Sequence, residues 1–217
     1  PELRLVLPNH PRVERFEGAE PVPELAADPR LKLVYAGSLS RARGCTMMLD
    51  VMERLSPDEA VLYLGGTFND PALKREVGER LALGLADRVT LLGRVPPPLL
   101  PRYLAAADVV WVPSQPDGQY SHPTISTKLL EGMAVGLAAL VSDMPGRGEL
   151  VHGEACGLAV PPGLEGHLGG VRRLLAERDR LPEMGARGRS AVERRYSWEA
   201  VQGDLVDFYG SLCAGLA

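Results

Sequence analysis

Lys128 and Glu131 stand three positions apart in the stretch Ser121 to Asp143, SHPTISTKLLEGMAVGLAALVSD, which joins a polar turn, a short apolar helix and a buried strand. Ser126 and Thr127 are residue types that cap helix starts. A helix N-terminus with unpaired N–H groups and positive dipole charge suits an anion. Lys128 adds a full cation there, and Glu131 shares its face closely enough to reach a different part of one ligand. Leu129, Leu130, Met133 and Ala134 supply the apolar anchoring that would hold the helix on a sheet. Taken alone, the stretch fits a capped amphipathic helix with a surface ion pair equally well, so its neighbours must decide.

A second group of small and cationic residues, Gly37-Ser38-Leu39-Ser40-Arg41-Ala42-Arg43-Gly44, follows the first strong strand signal and runs into a helix. Glycine lets a ligand approach the backbone closely. The segment lacks both the G-x-x-x-x-G-K-[ST] phosphate loop and the G-x-G-x-x-G dinucleotide pattern, which leaves nucleoside triphosphate hydrolysis and nicotinamide binding unsupported. His10, His122, His152 and His167 show no ligand spacing with thiols or carboxylates, so each is read as structural or superficial, with His122 the one to watch because of its loop, and no metal is expected.

The elements that must position these residues alternate. Apolar runs at Leu31–Ala36, Ala60–Leu64, Arg88–Leu92, Val109–Val112, Leu137–Ser142 and Gly157–Val160 read as strands. Helical patterns fall at 45–55, from Pro71 to about Leu83, from about Leu99 to Ala107, after Ser126, from Leu164 onward, and from Ser197, as a cap, to Leu212. Pro145-Gly146-Arg147-Gly148 and Glu149 read as a loop, Leu3–Leu7 as a strand end and the rest of 1–30 as linker. Trp198 and Tyr209 read as anchors of the last helix. Strands rich in Val, Leu and Ala alternating with helices predict an α/β fold with a parallel sheet covered on both faces. In such sheets ligands bind beyond the carboxyl ends of the strands, near a switch in strand order, so the loops after Ala36, Leu64, Leu92, Val112 and Ser142 form the candidate site.

The totals exclude several classes. The chain has 217 residues, 45% of them hydrophobic, enough for a sizeable core. A net charge of -4 without a basic run disfavours nucleic acid. Cys45, Cys156 and Cys213 are odd in number and far apart, which suits a reducing compartment and predicts cytoplasmic localisation. No apolar run reaches the roughly 20 residues of a membrane span, and association of an intact enzyme with the inner face of the membrane stays open. The Pro-rich start without Met suggests a piece of a longer polypeptide.

The order of motifs from about Leu5 to Leu212 resembles the C-terminal, nucleotide-sugar-binding domain of glycosyltransferase family 4 (glycosyl transferases group 1), a GT-B family. LVLPNHPRVERF is similar to the family's interdomain "PNG-x-D-x-x-x-F", without its Gly and Asp. LVYAGSLSRARG is similar to "Y-x-G-R-L-x-x-x-K-G", with Ser38 for Arg and Arg43 for Lys. RVTLLGRV, ADVVWVPS, STKLLEGMAVGLAALVSD and RYSWEAV resemble "V-x-F-x-G-x-V", "A-D-V-x-V-x-P-S", "K-L-x-E-x-M-A-x-G-x-P-V-V-x-S-D" and the closing "F-S-W".

The resemblance implies a single Rossmann-like domain, half of a GT-B fold. Residues 31–196 would bind the donor, and 197–217 would form a helix packing back toward an N-terminal acceptor domain of the same protein. It implies a retaining transferase using a nucleotide-diphosphate sugar, without metal or other cofactor, and inactive without that domain. Arg43, Lys128, Gly37, Ser38 and Thr127 would then meet the donor diphosphate, Glu131 the ribose, Arg94 and Val95 the base, and Pro123 and Thr124 the donor sugar. The family commonly has a Glu where Pro123 stands. Counted from Ser114, Asp117 falls in its place and is the candidate for its role, while a subgroup reading "P-x-K-L-x-E-Y-M-A" lacks that Glu as this chain does. Glu149 resembles the family's "G-G-x-x-E", with a turn-pairing role equally in view. A nucleotide-sugar epimerase or hydrolase of GT-B type and a non-catalytic nucleotide-binding module are the alternatives.

Overall fold

The computed structural model describes residues 5–116 and 124–214. β-Branched and leucine-rich runs form six strands: β1 Leu31–Ala36, β2 Ala60–Gly65, β3 Val89–Gly93, β4 Val109–Val112, β5 Ala138–Ser142 and β6 Gly157–Val160. They make one sheet in the order β3-β2-β1-β4-β5-β6, and every pairing is parallel. A parallel sheet must be covered on both faces, because each crossover lays a helix against it. The helices are α1 Pro23–Ala26, α2 Cys45–Arg54, α3 Pro71–Arg80, α4 Leu100–Ala105, α5 Thr127–Val135, α6 Arg147–Gly153, α7 Leu164–Ala176, α8 Leu181–Ala191 and α9 Trp198–Ala214.

The alternation of side chains along β1 separates two cores. Leu31, Leu33 and Tyr35 join α2, α3 and α7 on one face, whereas Val34 joins Val110, Val112 and the apolar side of α5 on the other. The chain leaves β1 for β2 and β3 on one side and returns through β4 on the other. The strand order therefore reverses between β1 and β4, and α5 starts beyond that point.

Three local expectations change. The leader is more than a linker: residues 5–7 form no strand, but Val13 and Phe16 are buried in the second core and α1 follows Val22. Those two apolar side chains gain more from burial than a solvated linker offers. Arg147 and Glu149, expected in a loop, begin α6. The helical run expected from Leu164 onward is two helices, and Pro182 sits in the first turn of the second, α8, since proline's fixed φ and missing N–H fit that place.

Ser197 caps α9 as expected, accepting from the Ala200 N–H at 3.1 Å. The leader is tied to the same point: Trp198 N–H donates to the Pro11 carbonyl at 2.8 Å and Val13 N–H to the Glu199 carboxylate at 3.1 Å. Beyond this start α9 projects. Tyr209, expected as an anchor, is 60% exposed, and Val206 is 68% exposed. Among the described residues no helix is long and apolar enough to cross a membrane.

The carboxyl ends of β4 and β5 are fastened to α7 by a buried imidazole. Trp111 Nε1–H donates to His167 Nδ1 at 3.0 Å, which leaves Nε2 to carry the proton donated to Ser142 Oγ at 2.9 Å. Burial pushes His167 down to about 4 from 6.5, because protonating Nδ1 would set two donors against each other in an apolar surround. The neutral ring's contribution is fully present above about pH 6.5 and is lost as the pH falls toward about 4. His167→Phe is expected to cost about 2 kcal/mol or more at neutral pH by stranding the buried Trp111 N–H donor and the buried Ser142 hydroxyl acceptor. It should also flatten the acid limb of stability in urea unfolding. An acid limb identical to that of the parent chain would contradict this assignment.

Candidate functional site

A cavity of about 480 Å³ opens at the carboxyl ends of β1, β2 and β3, and the first turns of α5 close its far side. Gly37 and Ser38 follow β1, Gly65, Gly66 and Thr67 end β2, and Arg94 and Val95 follow β3. Thr127, Lys128 and Glu131 project from α5, and Asn9 reaches in from the leader. Seven of the residues singled out in the sequence thus share one wall: Gly37, Ser38, Arg94, Val95, Thr127, Lys128 and Glu131.

The strand ends are drawn together by their own backbone. Gly37 N–H donates to the Gly65 carbonyl at 2.8 Å and Gly66 N–H to the Gly93 carbonyl at 2.7 Å. Gly66, at φ 142°, lies so close to the Gly37 carbonyl that a Cβ would overlap it. A Cβ on Gly37 would in turn strike the Lys128 side chain. The Lys128 stem therefore lies directly over the turn, in a space that only glycine leaves open.

Ser126 occupies the cap position of α5 without a side-chain hydrogen bond to the helix. Thr127 Oγ1 turns outward to the Asn9 carbonyl at 3.4 Å. The expected hydroxyl cap is thus not made.

A smaller cavity of about 210 Å³ adjoins the first and shares Thr127 and Lys128 with it. Arg43, Thr124 and Arg147 also line it. Arg43 is held there by the Gly44 turn, where the backbone at φ 77° packs on Pro113 too tightly for a side chain, and its Nη1 donates to the Ser38 carbonyl at 3.4 Å. Arg41 does not join the site: it is exposed and pairs with Glu76 on α3. Asp117, His122 and Pro123 lie outside the described residues. Asn9, Thr67, Leu100 and Arg147 line the two cavities without having been singled out. For Arg147 a signal existed, an arginine in the turn after a strand whose carboxyl end faces the site.

Burial lowers the Lys128 pKa, and repulsion from Arg43 adds to this while Glu131 opposes it. Burial likewise raises the Glu131 pKa, against the pull of Lys128 and Arg15. In both groups desolvation outweighs the attraction of the opposite charges beside them. A half-buried cation, a second cation, backbone amides at a helix start and a carboxylate beyond them can receive an anion at one end and hydroxyl groups at the other.

The family model for glycosyl transferases group 1 matches residues 30–177. The chain belongs to this family. Within it, the chain is 32% identical over 127 residues to a GDP-mannose-dependent alpha-(1-6)-phosphatidylinositol monomannoside mannosyltransferase of Mycobacterium tuberculosis. That match covers 58% of this chain and 33% of the relative. It is 29% identical over 200 residues to a D-inositol 3-phosphate glycosyltransferase of Segniliparus rotundus, covering 88% of this chain and 42% of that one. The structure of sucrose-phosphate synthase from Thermosynechococcus elongatus superposes with a TM-score of 0.77 at 26% identity, over 98% of this chain and 53% of that chain. The chain thus spans a third to about half the length of these group 1 proteins, and its α/β sheet is that of their GT-B fold.

Replacing the two desolvated charges of this group 1 domain by shapes of similar size, Lys128→Met with Glu131→Gln, is expected to raise ligand-free stability by about 1–2 kcal/mol in urea unfolding. A destabilised double variant would show that the pair holds the fold rather than awaiting a ligand.

Proposed function

We propose that this domain is the C-terminal, donor-binding half of a retaining family 4 glycosyltransferase that transfers a hexosyl group from a nucleotide-diphosphate sugar. The observation that carries the reading is the single cavity in which Lys128, Glu131 and the glycine turn at Gly37 meet beyond the switch in strand order. A relative named for its dependence on GDP-mannose supports a nucleotide sugar as donor.

In this reading the base lies against Arg94 and Val95, and Glu131 accepts hydrogen bonds from the ribose diol. The diphosphate lies over Gly37 and Ser38, between Thr127, Lys128 and Arg43. Cations and backbone N–H groups neutralise the diphosphate as it departs, the charge that grows as the glycosidic bond breaks. No metal or other cofactor is called for, since Arg43 and Lys128 supply the positive charge. Thr124 faces the sugar, while Pro123 and Asp117, assigned to the sugar end by resemblance, lie outside the described residues. The acceptor is brought by an N-terminal domain of the same protein, toward which α9 extends, because transfer requires both substrates in register. The enzyme works in the cytoplasm, without nucleic acid.

Uridine, guanosine, adenosine and thymidine diphosphates, offered separately, test this reading by thermal shift. At a hundred-fold excess over its dissociation constant, a nucleotide stabilises by about 2.7 kcal/mol, or roughly 5–11 °C for a chain of this size. At least one is expected to do so. Lys128→Ala should weaken that nucleotide roughly ten-fold or more by removing a charge-assisted contact. Glu131→Ala should do the same for the nucleotide and leave inorganic pyrophosphate unaffected. Failure of all four nucleotides to shift the chain would overturn the proposal.

A further inference from the structure

The pairing of β1 with β2 continues past the ends of both strands. Gly37 N–H donates to the Gly65 carbonyl at 2.8 Å. Two residues on, Leu39 N–H donates to the Thr67 carbonyl at 2.9 Å, and the Leu39 carbonyl accepts from Asn69 N–H at 3.3 Å. Leu39 and Phe68 thus form a parallel bridge in the register of the strands before them. Backbone groups alternate in direction along such a ladder. The amide and carbonyl of Ser38, between the two bonded residues, therefore turn away from β2 toward the β4 side of β1.

On that side the Ser38 carbonyl is held and the Ser38 amide is not. The carbonyl accepts from the Tyr35 hydroxyl at 2.9 Å and from Arg43 Nη1 at 3.4 Å. With Leu39 N–H tied to Thr67, the Ser38–Leu39 peptide is fixed at both polar ends. Tyr35 is itself immobilised: its ring packs in the first core at 2% exposure, and its hydroxyl lies 3.1 Å from where a Cβ on Gly37 would stand. The Ser38 N–H has no acceptor among the described residues, although Ser38 is half-buried on the wall of the larger cavity. A backbone donor partly removed from water costs free energy until a ligand or a water takes it.

We infer that Tyr35 is a positioning residue for the donor diphosphate: its hydroxyl, by fixing the Ser38 carbonyl, aims the Ser38 N–H at a phosphate oxygen beside the Lys128 ammonium. The inference rests on the donor-binding reading above. Gly37 gives the peptide plane that carries this N–H unusual freedom to turn, and only the pinned peptides on either side of it remove that freedom. An amide fixed beforehand makes a charge-assisted hydrogen bond to phosphate without reorganising when the ligand arrives.

Tyr35→Phe, which keeps the ring and removes only the hydroxyl, tests the inference with inorganic pyrophosphate as the probe and amide chemical shifts as one readout. In the parent chain pyrophosphate is expected to move the Ser38 N–H downfield, and further than the Leu39 N–H, which is already bonded to Thr67. In Tyr35→Phe that movement should fall by half or more. Pyrophosphate affinity should fall roughly five-fold, the worth of one well-placed hydrogen bond, while guanosine and uridine bind within about two-fold of the parent. A Ser38 amide unmoved by pyrophosphate in the parent chain would overturn the inference, even if the variant failed to fold. Parent-like pyrophosphate affinity in Tyr35→Phe would overturn it too, as would an equal loss for nucleosides, which would place Tyr35 with the scaffold. In each of these cases binding of a nucleoside diphosphate to the parent chain leaves the donor-binding reading standing. Absence of binding by pyrophosphate and by all four nucleoside diphosphates overturns both.

Discussion

The stem of Lys128 lies across Gly37, and Gly66 lies against the carbonyl of Gly37, so three elements meet with no room for a β-carbon at either glycine. This close approach sets the spacing between α5 and the ends of β1 and β2. It also decides where the cation of Lys128 and the carboxylate of Glu131 can stand, because both are fixed to the same helix. The sheet beneath makes the approach possible. Parallel strands end together, and reversal of strand order between β1 and β4 separates their exits enough for α5 to enter.

The electrostatics follow from that geometry. Lys128 and Glu131 are half-buried walls of the cavity, and desolvation outweighs mutual attraction in both. Arg43 enters from the opposite turn and adds to the positive potential at Lys128. Under the proposed function, such a site gives up stability of the empty protein to bind its ligand, a trade common where charge must be held ready. The contrast with His167 is instructive. That ring is also buried and also shifted, yet it bonds Trp111 and Ser142 on its two sides and belongs to the scaffold.

Much of this was legible in the sequence. The six strands were visible because continuous Val, Leu and Ala runs suit a sheet covered on both faces, and the cavity-facing glycines because they end those runs. Lys128 and Glu131 were visible through their spacing and through family motifs. What was not legible depended on contacts distant in sequence. Phe16 is buried only because the second core offers it a place, and Asn9 reaches the site only because Trp198 and Glu199 hold the leader down. Arg41 and Arg43 looked alike as loop cations until Glu76 took one to the surface. Arg147 was hidden in an apparent loop, since a seven-residue helix opened by Arg-Gly carries no strong start signal.

The central claim is that the cavity between the glycine turn and the start of α5 is where a nucleotide diphosphate binds. Amide chemical shifts followed during titration with the stabilising nucleotide test it most directly. The account predicts the largest changes at Gly37, Gly66, Val95, Thr127 and Lys128, with Gly157 on the edge strand β6 and Gly169 on α7 unmoved. Changes centred on Gly157 and Gly169 with the glycine turn silent would contradict it.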